Sequence, residues 1–174
     1  NYKKLIDPDY LQNKSLENNR PKIFFTLHMG CVDILIFVLS ELLAKVNFLY
    51  TPVKNKKLER KLLDIRQRQG GKMFPATPNG VKNLYKSFID KENIVIASDL
   101  VPHKQGVYEK FFNKECFCID LVEKLSNKGT HDLHFIYLTK GKKNKYKLVC
   151  KQIKNKITTS EMNALFEEAI LTAP

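Results

Sequence analysis

The chain has 174 residues, 43% of them apolar, and carries 30 Lys and Arg against 18 Asp and Glu, a formal charge of +12. That length and apolar content suffice for one domain with its own core, so neither disulfides nor a structural metal is needed to explain folding. The charge points to an anionic partner: nucleic acid, a membrane surface or an acidic protein.

Four cysteines, Cys31, Cys116, Cys118 and Cys150, form no CxxC pair and have no Cys/His spacing suited to zinc, which reads as reduced thiols in a cytosolic compartment. The longest apolar run, "ILIFVLSELLA", is broken by Ser40 and Glu41 and is too short to span a bilayer, and the N-terminus lacks a basic-then-apolar signal. The chain opens on Asn1 and stops at Ala173-Pro174 just after a helical pattern, so a fragment of a longer protein is expected.

Residues 1–21 are polar, with Pro8 and Pro21 as breakers, and read as an irregular lead-in. "KIFFTLH" (22–28) is strand-like and ends at Gly30; Asp33 can cap the following helix, whose Ile34, Phe37, Val38 and Leu42 share a face. "NFLYTPV" (47–53) predicts a second strand. "KKLERKLLDIRQRQGG" (56–71) predicts a helix with Leu58, Leu62 and Ile65 on one face and Gly70 and Gly71 as its stop.

A short "KMFPA" strand precedes a helix over "PNGVKNLYKSFIDKE" with Val81, Leu84, Tyr85 and Phe88 inward. "NIVIASD" (93–99) is a continuous apolar strand ending on an acid. Residues 100–115 read as loop, followed by a helix near 118–127, strands "LHFIYLT" and "YKLVCKQI" around the turn "KGKKNK", and a last helix from about 159 to 171. Strands alternating with helices predict a single α/β domain over 1–174, its sheet mostly parallel with a late antiparallel hairpin and helices on its flanks.

The stretch "HMGCVD" puts His28 at a strand end and Asp33 in or just before a helical turn, and strand ends are where parallel α/β folds build their sites. A carboxylate that accepts the imidazole Nδ1 hydrogen leaves Nε2 to take a proton from a hydroxyl. Spacing alone does not separate that pair from a plain helix cap beside a satisfied polar histidine. Cys31, three residues from His28, opens a second possibility, a Cys/His nucleophile, but no sequence feature supplies the lowered thiol pKa it would need.

The segments "TLHMGCVDI", "YTPVKNKKLERKLLDIRQRQGGK" and "NIVIASDLVPHKQGVYEKFFN", in that order, resemble the lipid A biosynthesis acyltransferases of the lauroyl and myristoyl type, from about residue 22 to the last helix. That family typically shows His-Phe-Gly-Asn-Trp-Glu, an Arg-x-x-x-Gly segment closing a helix, an Asp-Gln-x-x-Gly-type strand end and a Val-x-x-Phe-Phe-Gly segment. His28 and Asp33 match its His-x4-acid dyad and Gly30 the glycine within it. Arg66 with Gly70 matches the arginine segment, Asp99 the strand-end acid, and Gly106, Val107, Phe111 and Phe112 the last segment. Cys31 stands where Asn is usual, Val32 where Trp is usual, Leu100 where Gln is common and Asn113 where Gly is common.

The resemblance implies the glycerolipid/lipid A acyltransferase fold and transfer of a fatty acyl group from an acyl carrier protein thioester to a hydroxyl of a lipid A precursor, with no cofactor and no metal. It implies that His28 is the general base, that Asp33 orients it, and that Arg66, Asp99 and Gly30 contribute to substrate binding. It also implies an N-terminal membrane anchor and a C-terminal continuation outside these residues, and a location on the cytoplasmic face of the bacterial inner membrane.

Arg66 also reads as a solvated helix residue and Asp99 as an ordinary loop-initiating acid. The basic runs at 54–57 and 140–145 read as solvated turns, and functionally as attraction to the acidic carrier protein and an anionic membrane surface. His103, His131 and His134 read as structural or surface residues.

Two other functions compete. A glycerolipid acyltransferase of the lysophosphatidate type shares the dyad, but usually has Asn before the His and a later Phe-Pro-Glu-Gly segment; here Leu27 precedes His28 and that segment is missing. A basic nucleic-acid-binding module would use the charge with eleven Phe and seven Tyr, yet most aromatics lie in apolar strand or helix patterns and no recognition signature occurs. Nucleic acid is therefore not expected as a partner.

Overall fold

The computed structural model describes residues 2–12, 16, 18–102, 104–154 and 156–172. Six strands form the main sheet: β1 (Lys22–Thr26), β2 (Val46–Tyr50), β3 (Lys72–Pro75), β4 (Asn93–Ala97), and, skipping a small separate hairpin β5 (Val107–Phe111) and β6 (Lys114–Cys118), β7 (Asp132–Lys140) and β8 (Tyr146–Ile153). The order is β3-β2-β4-β1-β7-β8, every pairing parallel except β7 with β8. The mixed, mostly parallel sheet flanked by helices is the architecture that the alternating pattern predicts.

β1 and β4 read as unbroken apolar runs because both of their faces are covered. On one face Ile23, Phe25, Ile94 and Ile96 meet Leu84 and Phe88 of α3 (Pro78–Ile89), Val122 and Leu125 of α4 (Leu121–Ser126), and Met162 and Phe166 of α5 (Thr159–Thr172). On the other, Phe24 and Val95 meet Leu35, Val38 and Leu39 of α1 (Val32–Leu42). The remaining helix, α2 (Lys56–Arg66), buries no residue.

Several expectations need correction. Residues 100–115 are not all loop. Val107–Phe111 pairs antiparallel with Lys114–Cys118, and Phe112 and Asn113 turn the chain with φ of 47° and 60°. Two successive positive-φ residues make the hairpin turn that suits strand twist. Because Cys118 ends β6, α4 begins only at Leu121. Tyr85 is exposed rather than inward, its ring stacked on Phe88.

The described part of the lead-in is more ordered than its composition suggests: 3-10 turns cover Tyr2–Lys4 and Pro8–Gln12, Ile6 bridges Tyr146, and Ile6 and Tyr10 are buried. His131 is buried, with its ring between Thr130 Oγ1 and the Glu92 carbonyl, and His134 is buried against Phe24. His103 lies outside the described residues. Among the described residues no helix is long and apolar enough to cross a membrane.

The topology has a switch point between β1 and β4. After β1 the chain turns to the α1 face; after the adjacent β4 it leads to the hairpin and α4 on the opposite face. Neighbouring parallel strands whose continuations diverge leave a gap at their C-terminal ends, where α/β proteins bind ligands.

Candidate active site

Parallel register sets the central pair. Thr26 of β1 lies beside Ala97 of β4, so His28 and Asp99 each stand two residues beyond matched positions. Asp99 Oδ1 lies 2.8 Å from the His28 Nδ1, and Asp99 Oδ2 accepts the His28 backbone N–H at 2.7 Å. One carboxylate thus fixes both the ring and the backbone that carries it.

The hydrogen bond that the His28 ring donates to Asp99 raises the His28 pKa above its ordinary 6.5, helped by the Asp99 charge, while partial burial and the Arg66 charge oppose the rise. Burial pushes the Asp99 carboxyl upward, but the ring and backbone hydrogen bonds of His28 outweigh it and hold the carboxyl below its usual 3.8. With Nδ1 engaged, Nε2 is the nitrogen placed to accept a proton from a hydroxyl.

The sequence pointed to Asp33 as the orienting carboxylate, and the geometry differs. Asp33 is the second residue of α1; Cys31 is the N-cap residue and makes no side-chain cap bond. Asp33 Oδ1 accepts from Arg66 Nε at 2.7 Å, and among the described residues no hydrogen bond joins Asp33 to His28. The physical reason is reach: α1 starts after the chain has turned at Gly30 toward Arg66, whereas the strand register delivers Asp99 to the ring.

Arg66 closes α2 with only 20% of its side chain exposed, so it is a held residue rather than a solvated one. Its charge reaches His28, Tyr50 and Glu59 alike. The five expected site residues therefore lie around one rim, as the pairs His28/Asp99 and Asp33/Arg66 with Gly30 between them in the chain.

Gly30 has φ of +68°, and a Cβ there would come within 2.8 Å of the Leu138 carbonyl oxygen on β7. Positive φ and the close approach both select glycine. Met29 and Gly30 also line one side of an open cavity of about 560 Å³ whose other walls include Leu138, Thr139, Lys140, Lys145 and Tyr146.

Two residues that sequence reasoning did not single out complete the rim. Tyr50, the last residue of β2, donates its hydroxyl to Glu59 Oε1 at 2.5 Å, and Glu59 Oε2 accepts the Val53 backbone N–H at 2.8 Å. Burial, the Glu59 hydrogen bond and the Glu59 charge push Tyr50 up to about 12, so it stays a hydroxyl donor. Its position at the end of "NFLY" was the available signal. Cys31 is half-buried against the α1-side apolar cluster, which argues for a packing role.

No curated protein matches the chain. The family model described as bacterial lipid A biosynthesis acyltransferase matches residues 3–174, nearly the whole sequence. The chain therefore belongs to the bacterial lipid A biosynthesis acyltransferases, enzymes that transfer acyl groups in lipid A synthesis.

Proposed function

We propose that the protein transfers a fatty acyl group from acyl carrier protein directly to a hydroxyl of a lipid A precursor, with His28 as general base. The observation that carries this reading is the two-oxygen grip of Asp99 on His28, with distances of 2.8 and 2.7 Å. In the proposed step, His28 Nε2 removes the proton as the hydroxyl oxygen attacks the thioester carbonyl. The tetrahedral intermediate then collapses, the carbon–sulfur bond breaks, and the imidazolium returns the proton to the departing thiolate. No acyl group passes through the protein.

Arg66 supplies positive charge beside the base, where it faces the developing oxyanion or a substrate phosphate. Asp33 holds the guanidinium through Nε and leaves its terminal nitrogens for substrate. Gly30 and the lysines of the adjoining cavity fit the anionic groups of an acceptor. The formal charge of +12 suits an acidic carrier protein and an anionic membrane surface. The proposed location is the cytoplasmic face of the bacterial inner membrane.

The test is a matrix of donors and acceptors scored by lipid mass: acyl carrier protein or coenzyme A thioesters, each with a lipid A precursor or with lysophosphatidate. The reading expects transfer from the carrier protein to the lipid A precursor. Transfer to lysophosphatidate in its place would overturn it in favour of glycerolipid acylation.

A further inference from the structure

The helix α2 is amphipathic by sequence, packs Leu63 against the α1-side cluster and half-buries Leu62, yet leaves the two ends of its apolar row in solvent. Leu58, Leu62 and Ile65 recur at i, i+4 and i+7, the spacing of one helix face. In a helix laid on a sheet that row would point inward. Here Leu58 is 49% and Ile65 41% exposed, and exposed Val53 precedes them in the connecting loop. Lys57 and Lys61 stand beside the row and are exposed.

The position of the helix follows from its two ends. Asn55 caps its start by accepting from the Lys57 and Leu58 backbone N–H groups. Glu59 is tied to Tyr50 at the end of β2, and Arg66 at the other end is tied to Asp33 at the start of α1. Both anchors lie on the rim that carries His28, so α2 spans that rim with Leu58 and Ile65 turned to solvent.

We propose that α2 is an interfacial helix that seats this rim on an anionic lipid bilayer, with Leu58 and Ile65 entering the acyl boundary and Lys57 and Lys61 contacting the headgroups. Exposed apolar residues one helix face apart and edged by lysines are the composition of helices that lie in a membrane surface. The charge singles out anionic lipid. Of the two acids in α2, Glu59 is occupied by Tyr50 and Val53, while Asp64 alone is exposed among Lys56, Lys57, Arg60 and Lys61. The placement also rests on the proposed function, because an acceptor held by its acyl chains in a bilayer can reach His28 only if the rim opens onto that surface.

The experiment is flotation of the protein with vesicles of phosphatidylcholine, alone or mixed with phosphatidylglycerol, at low and high salt. Wild type is expected to float with the mixed vesicles and to be released by salt. Leu58→Asp or Ile65→Asp should cut partitioning roughly tenfold or more, and Lys57→Gln or Lys61→Gln by roughly fivefold each. Leu171→Asp, on exposed apolar surface of α5, is the matched control and should float as wild type, with circular dichroism and Tm showing that all variants fold.

Failure of wild type to float would overturn the proposal. So would flotation unchanged by the Asp substitutions, or an α2 variant that loses binding to acyl carrier protein while still floating. The two readings fail separately. Leu58→Asp should still acylate a detergent-dispersed acceptor, and His28→Ala should still float; docking without acylation by wild type would refute only the proposed reaction.

Discussion

Replacing Asp99 by Asn tests the proton arrangement at His28 with almost no change of shape. In the wild type both carboxylate oxygens accept, one from the ring Nδ1–H and one from the His28 backbone N–H. An amide has one acceptor. If its oxygen keeps the backbone N–H, its NH₂ faces the ring and requires Nδ1 to accept, which moves the imidazole proton to Nε2. That tautomer cannot take a proton from a hydroxyl. The expected loss in kcat/KM is roughly 10²–10⁴-fold, the range for a disabled general base. The acid limb of the pH–rate profile should also move to lower pH, because the Asp99 hydrogen bond and charge are what raise the His28 pKa. The assay is initial acylation rate against pH, with the fold checked by circular dichroism. A variant within a few-fold of wild type and with an unmoved acid limb would refute the assignment of Asp99 to His28.

Asp33→Asn should behave differently, since it loosens Arg66 rather than the histidine: kcat/KM falls by roughly tenfold from a weakened charged hydrogen bond while the acid limb stays in place, and a shifted limb would return Asp33 to the ring. Gly30→Ala puts a Cβ at φ of +68° and 2.8 Å from the Leu138 oxygen; a cost of about 2 kcal/mol lowers Tm by roughly 4–8 °C for a chain of this size, and thermal melting within a degree of wild type would contradict the close approach. Stability should depend on pH in a stated window. His28, raised above 6.5, contributes fully below 6.5 and loses its contribution as pH rises through its folded pKa; Asp99, lowered below 3.8, contributes above 3.8 and loses it as pH falls through its folded value. The Tm difference between wild type and Asp99→Asn is therefore largest between pH 3.8 and 6.5 and narrows in alkaline buffer; a difference independent of pH would contradict the ion pair.

The parallel sheet was legible because β1 and β4 are short unbroken apolar runs between helical patterns, and a strand buried on both faces leaves little other choice. The hairpin was not, because its turn uses Phe112 and Asn113 at positive φ where a sequence reader looks for glycine. His28 was legible by its place at a strand end. Its partner was not: Asp33 is five residues away in the chain and Asp99 seventy-one, and only the register of β1 against β4 decides between them. Periodicity in α2 identified the helix and its apolar row correctly, but periodicity cannot say whether a row faces a core or the solvent.

One reaction mixture tests the central claim most directly: lipid A precursor, acyl carrier protein thioester and protein, with the lipid and the intact protein both weighed by mass spectrometry, beside the same mixture made with His28→Ala. The account predicts one added acyl chain on the lipid, no acyl group on the protein, and loss of the lipid product in His28→Ala. Equal product from His28→Ala, or an acyl group accumulating on Cys31, would contradict it.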